Sequence, residues 1–214
     1  MPGECAKKIN KSLDKIMAND PSAIIILSSM GPVYLEATAF KGKDMARVTG
    51  SVMQLINDKS VTNRWKVFEI GLRSTLSELT SLSNSKVVFA FDVPELGIDF
   101  GCDKRGKELH LGLFRLNDLV SSDVVDDCFV SRTEYDDRVR AYKSLVKRVL
   151  SDYPYVLLYD PATTFCDSKK CKGFDPAYNY LYGDIDHLSD SGSQFYAENF
   201  FTFLSDQKAS VIKP

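Results

Sequence analysis

The sequence predicts an α/β fold, a three-layer α/β/α sandwich built around a parallel sheet, and two observations predict it. Short apolar runs alternate along the chain with longer stretches whose apolar residues recur at helical spacing. The runs are apolar throughout, as strands covered on both faces are, instead of alternating with polar residues. At 214 residues and 44% hydrophobic content, the chain is sized for one domain over residues 1–214 with a buried core.

Ile9, Leu13, Ile16 and Met17 give residues 4–18 one apolar face, and Asn19-Asp20-Pro21 stops that helix. Ala23 to Leu27 reads as a fully buried strand. Trp65, Phe68, Leu72, Leu76 and Leu79 form the stripe of a long second helix that ends near Ser83-Asn84-Ser85. Val87 to Phe91 is the next buried strand. Thr133 is placed to cap a helix, with Asp136 three residues on and Val139, Tyr142, Val146 and Val149 on its inner face. Tyr155 to Tyr159 is the third strand, ended by Asp160-Pro161.

The last helix starts around Ser189 and carries Phe195, Phe200, Phe201 and Leu204, read as core. Gly192 in its first turn costs about 1 kcal/mol relative to alanine. A close approach of backbone beneath the preceding loop would justify it. Residues 35–62 and 97–127 show little periodicity and read as long loops.

The net charge of -2 argues against a phosphate-tracking nucleic-acid binder. No apolar stretch approaches the roughly 20 residues that cross a bilayer, and the N-terminus has no apolar core of a signal peptide. Cys166 and Cys171 enclose four polar residues among the five cysteines. That spacing suits a disulfide hairpin, a pair of reduced thiols or a zinc site. Zinc is disfavoured, because no second Cys/His pair stands at ligand spacing and only two histidines are present. Cys102 and Cys128 can also pair, leaving Cys5 over. No cofactor is assigned.

The run Tyr182-Gly183-Asp184-Ile185-Asp186-His187-Leu188-Ser189 carries the chemistry. An acid three residues before a histidine can orient the imidazole and stabilise its protonated form, while the other ring nitrogen faces a nucleophile. In this context the run resembles the last block of the SGNH hydrolases, in particular the extracytoplasmic domain fused to bacterial membrane acyltransferases of the family-three type that O-acetylate cell-surface polysaccharides. Asp92-Val93-Pro94-Glu95-Leu96-Gly97, Cys128 to Tyr135, Tyr159-Asp160-Pro161 and Cys166 to Cys171 continue the resemblance in order.

The resemblance implies a flavodoxin-like α/β/α sandwich, with His187 as general base and Asp184 as the acid that fixes its tautomer. Asp186 is the rival acid, assigned instead to loop hydrogen bonds or water because adjacent side chains usually point apart. His110 is assigned to the surface. An extracytoplasmic location also favours the Cys166–Cys171 disulfide. The implied partners are an acetylated or acetyl-accepting surface glycan and a membrane-embedded acyltransferase domain in the parent protein.

The sequence departs from that pattern at its start. Such domains begin with a strand ending in Gly-Asp-Ser, whose serine is the nucleophile, and the chain contains no Gly-Asp-Ser. The expectation is the C-terminal part of the domain without its first strand or strands. A non-catalytic remnant or carbohydrate-binding module of the same fold is the alternative. After the first expected strand, Met30 stands where relatives commonly carry tryptophan, and no Gly-x-Asn-Asp motif supplies an oxyanion donor. Backbone N–H groups around Gly31 are the remaining candidates, and no oxyanion residue is assigned.

Overall fold

A computed structural model of the chain describes residues 11–15, 23–29, 31–36, 53–55, 58–82, 86–96, 128–177, 179–184 and 186–211. Two compact units emerge, one from Met1–Asp92 with Val139–Tyr159, the other from Val93–Arg138 with Asp160–Pro214. The expected loop over 97–127, His110, Cys5, Cys102, Met30, most of 35–62 and most of the first expected helix lie outside the described residues.

The first unit holds a parallel sheet of β1 (Ile24–Ser28), β2 (Lys86–Ala90) and β4 (Leu157–Tyr159) in the order β1-β2-β4. Ile24 registers with Lys86 and Val88 with Leu157. α1 (Gly31–Glu36) follows β1, and α2 (Arg64–Leu82) precedes β2. Asn63 starts α2 by accepting the Lys66 N–H on its side-chain oxygen at 3.0 Å. The expected stripe delivers Leu72, Leu76 and Leu79 to a core shared with Ile25, Val87, Phe89 and Phe91, while Trp65 and Phe68 pack against its margin. Tyr142, Val146 and Val149 complete it from α3 (Arg132–Leu150). The fold class is α/β with a parallel sheet, as expected.

Two strand expectations are corrected here. β1 is not buried on both faces: Ile25 is 7% exposed, whereas Ile24 and Ile26 are 38% and 51% exposed. Side chains alternate across a strand, and among the described residues β1 lies at the sheet edge, so only its Ile25 face reaches the core. The third strand begins at Leu157, two residues later than expected, and Tyr155 is 88% exposed.

The second unit pairs β3 (Phe129–Ser131) antiparallel with β5 (Lys170–Lys172), a hairpin-scale sheet that the apolar pattern did not foretell. Three-residue strands carry too little periodicity to be read. α4 (Ala162–Phe165) lies between β4 and β5, and α5 (Asp190–Val211) closes the order. The cap of α3 is also corrected, because Ser131 and not Thr133 starts the helix. The Glu134 N–H donates to Ser131 Oγ at 3.2 Å, and the Ser131 N–H and hydroxyl both donate to Glu134 Oε2. This is a capping box, and Ser-x-x-Glu was its sequence signature. On α5, Phe200 and Leu204 are buried as expected, but Phe201 is 64% exposed.

Candidate active site

The histidine loop is a short hairpin. Tyr182 and Leu188 form an antiparallel bridge, and the Gly183 N–H donates to the His187 carbonyl at 2.9 Å. Asp184 organises the turn between them. Its Oδ1 accepts the backbone N–H of Asp186 at 3.0 Å and of His187 at 2.7 Å. Aspartate closes local turns of this kind, because its short side chain reaches the amides two and three residues on.

Just beyond the hairpin, Ser189 starts α5, accepting the Gly192 N–H on Oγ at 3.0 Å, as its position before the helix suggested. The Ser189 N–H in turn donates to the Leu181 carbonyl at 3.0 Å. The backbone therefore clamps both ends of the loop, and the imidazole stands on a fixed base.

On that base, His187 Nδ1 lies 2.8 Å from Asp184 Oδ2 and 3.0 Å from Asp184 Oδ1. Asp186 Oδ1 also lies 3.0 Å from Nδ1. The sequence reading separated these neighbours and gave Asp186 to water or loop hydrogen bonds. Asp186 does make a hydrogen bond within the loop, to Asp184, and the tight turn also brings its carboxyl to the ring, so both acids converge on one nitrogen. With its proton on Nδ1, a neutral imidazole carries its lone pair on Nε2, the tautomer a general base needs. The His187 side chain is 74% exposed and so open to a reacting group.

The two carboxyls differ in environment. Burial pushes Asp184 up, but hydrogen bonds from the backbone of Asp186 and His187 and from the His187 ring outweigh it and hold it below the ordinary carboxylate value. Burial pushes Asp186 up, and its hydrogen bond with Asp184 and the negative charges of Asp184 and Glu95 add to it against the pull of His187, leaving it raised. Glu95 is itself tied to Arg138, Oε2 to Nε at 2.9 Å, with side chains only 14% and 7% exposed. The sequence placed Glu95 in a matching block without a role, and nothing in its spacing could have paired it with residue 138.

Asp184, Asp186 and His187 also offer ligand atoms within 4.8 Å of one another. A cation there would take the same atoms that the acid–histidine hydrogen bonds use.

Two cavities open in this unit. One of about 380 Å³ borders the hairpin along Tyr180, Tyr182, Gly183, Ser189 and Ser191. The other, about 400 Å³, is walled by Phe129, Phe165, Phe174 and Phe195 with Lys170 and Lys172.

Cys166 and Cys171 form a disulfide with an S–S distance of 2.04 Å. Asp167 organises the loop they close, accepting the Lys169 and Lys170 N–H groups at 2.8 Å each and pairing with Lys172 at 3.0 Å. Cys128 is disulfide-bonded as well, to a partner outside the described residues.

The turn after β1 belongs to the first unit. The Gly31 N–H, considered as an oxyanion donor, is already engaged by the Ser29 carbonyl at 2.8 Å. Ser29 Oγ lies 3.2 Å from the Tyr142 hydroxyl, whose proton is held well above the usual tyrosine value by burial.

The profile of the SGNH domain, described as the domain fused to AT3 domains, matches residues 2–201. The chain belongs to this family. No curated protein and no solved structure matches it. An SGNH domain is an α/β domain, in keeping with the parallel β1-β2-β4 sheet. Its family associates it with acyltransferase-3 proteins, in which the partner domain is the membrane acyltransferase. Within this SGNH domain, none of the described helices is long and apolar enough to cross a membrane.

Proposed function

We propose that this SGNH domain is the C-terminal part of an O-acyltransferase or esterase domain that O-acetylates cell-surface polysaccharide, such as lipopolysaccharide or peptidoglycan sugars, by a Ser-His-Asp mechanism. Both compact units are read as one domain, since the family match runs through each. The observation that carries the proposal is the Asp184–His187 pair, with Nδ1 and Oδ2 2.8 Å apart on a loop clamped at both ends.

The serine nucleophile is supplied by sequence outside these 214 residues, which contain no Gly-Asp-Ser. His187 Nε2 takes the serine proton as the oxygen attacks the acetyl carbonyl, and Asp184 stabilises the resulting imidazolium. The ring then returns the proton to the departing oxygen as the tetrahedral intermediate collapses to the acyl-enzyme. A sugar hydroxyl or water attacks next, its proton passing through Nε2 to the serine. Positioned proton transfer of this kind contributes about 10²–10⁴-fold.

The Cys166–Cys171 disulfide supports an oxidising, extracytoplasmic location beside the membrane domain of the parent protein. The acetyl-accepting surface glycan would approach along the cavity bordering Tyr182 and Ser189. Hydrolysis of an activated acetyl ester tests the reading. The 214-residue chain should be inactive. A form extended upstream through a Gly-Asp-Ser should turn over, and His187→Ala should abolish that turnover. His187-dependent activity of the 214-residue chain itself would place the nucleophile within it and defeat the proposed division. The absence of a Gly-Asp-Ser favours a second reading, a non-catalytic remnant or carbohydrate-binding module, which inactivity of every extended form would support.

A further inference from the structure

We propose that Asp186 is a second positioning acid for His187, so that a pair of carboxyls holds the imidazole. Its Oδ1 lies 3.0 Å from Nδ1, an ion-pair contact once the ring is protonated and as close as Asp184 Oδ1.

The two acids divide the work by their surroundings. Asp184 is 52% exposed, and its Oδ1 is shared between two backbone N–H groups and the ring. It is the acid that shapes the turn. Asp186 is only 13% exposed, so its attraction for the ring is less screened by water. The Nδ1–H is hydrogen-bonded to Asp184, and Asp186 acts on the ring through its charge. When Nε2 gains a proton, the positive charge forms beside both.

Charged groups on neighbouring elements set the strength of this second acid. Glu95, on the segment after β2, acts on Asp186 with its negative charge. Arg138 on α3 pairs with Glu95 at 2.9 Å and offsets that charge. Asp184 adds its own negative charge, and the His187 ring opposes both. The catalytic consequence rests on His187 being the base. The acid pair itself does not, and it can be measured without any nucleophile.

The test is a proton NMR titration of the His187 ring in the 214-residue chain, its signal told from that of His110 by His187→Ala. Asp186→Asn and Asp186→Ser should each lower the midpoint of ring protonation by about 0.5–1 pH unit, the effect of losing one nearby opposite charge at a partly exposed ring. Asp184→Asn/Asp186→Asn should lower it further than either single change. Two isosteric or smaller replacements guard against misreading a folding defect, since both must act alike. A midpoint unmoved by both Asp186 variants, while Asp184→Asn lowers it, would overturn the proposal. A shifted midpoint alongside an inactive extended enzyme would leave the acid pair standing and remove only the acyl-transfer reading.

Discussion

Gly192 lies so close beneath Leu181 that a Cβ at residue 192 would sit 1.8 Å from the Leu181 carbonyl oxygen. That carbonyl also accepts the Ser189 N–H at 3.0 Å. The first turn of α5 is thus pressed against the strand-like backbone that leads into the histidine hairpin. Only the residue without a side chain permits the contact, which accounts for a glycine where the helix alone would favour alanine.

Gly192→Ala should therefore destabilise the protein, by about 1–3 kcal/mol, as overpacking does. It should also disturb the His187 ring signal, because the displaced Leu181 carbonyl anchors the loop. Gly71, on α2, is the internal control: a Cβ there meets nothing within 4 Å. Gly71→Ala should stabilise by about 0.5–1 kcal/mol through helix propensity and a less flexible unfolded chain. Urea titration of both variants checks the opposite signs. A gain at both positions would refute the close approach.

How much of this was legible in the sequence depends on the range of the interactions. The stripe of α2 and the apolar run of β2 place their own core residues, because local periodicity fixes which face is buried. The start of α5 near Ser189 and the compensated cost of Gly192 were legible from single residues in the local sequence. The exposure of Ile24 and Ile26 was not, because it depends on which strand lies at the sheet edge. The pairing of β3 with β5 joins segments forty residues apart and leaves no local trace. At the candidate site, the resemblance singled out Asp184 and His187, whereas the approach of Asp186 needed the turn geometry. The Glu95–Arg138 pair needed the tertiary fold.

Loss of the Cys166–Cys171 bridge should act locally. The bridge closes a loop of sequence separation 5, for which chain entropy gives about 2 kcal/mol. The Asp167 carboxylate keeps its backbone hydrogen bonds after reduction, so part of the turn survives. Cys171→Ser should cost about 1–2 kcal/mol and speed amide exchange mainly in β3 and β5, because Cys171 is fully buried in that pairing. Hydrogen exchange read by mass spectrometry checks the location. Two alkylatable thiols at 166 and 171 in protein from an oxidising compartment would contradict the bridge itself.

Breaking the Glu95–Arg138 pair should be costly, because both side chains are nearly buried. Removing one partner of a buried ion pair leaves the other charge poorly compensated, a loss of about 3–5 kcal/mol. Arg138→Ala should approach the lower figure, since the pair keeps some contact with solvent. A double-mutant cycle with Glu95→Ala measures the coupling. A coupling near zero would show that the pair contributes packing only.

Asp186→Asn should raise the melting temperature at neutral pH while weakening the hold on His187. Burial, its hydrogen bond with Asp184 and the charges of Asp184 and Glu95 raise the Asp186 carboxyl above its ordinary value. A raised carboxyl holds its proton more tightly folded than unfolded, so the unfolded chain loses its proton first as pH rises. Through that interval the folded state binds more protons, and its stability falls with increasing pH. Asparagine removes the ionisation and with it this loss. The variant's advantage should be present at about pH 7 and shrink toward about pH 4, where the wild-type carboxyl becomes protonated. Calorimetry at the two pH values checks it: an equal gain at both would assign the effect to packing, and a lower melting temperature at neutral pH would show that the attraction of His187 outweighs the cost of keeping Asp186 ionised.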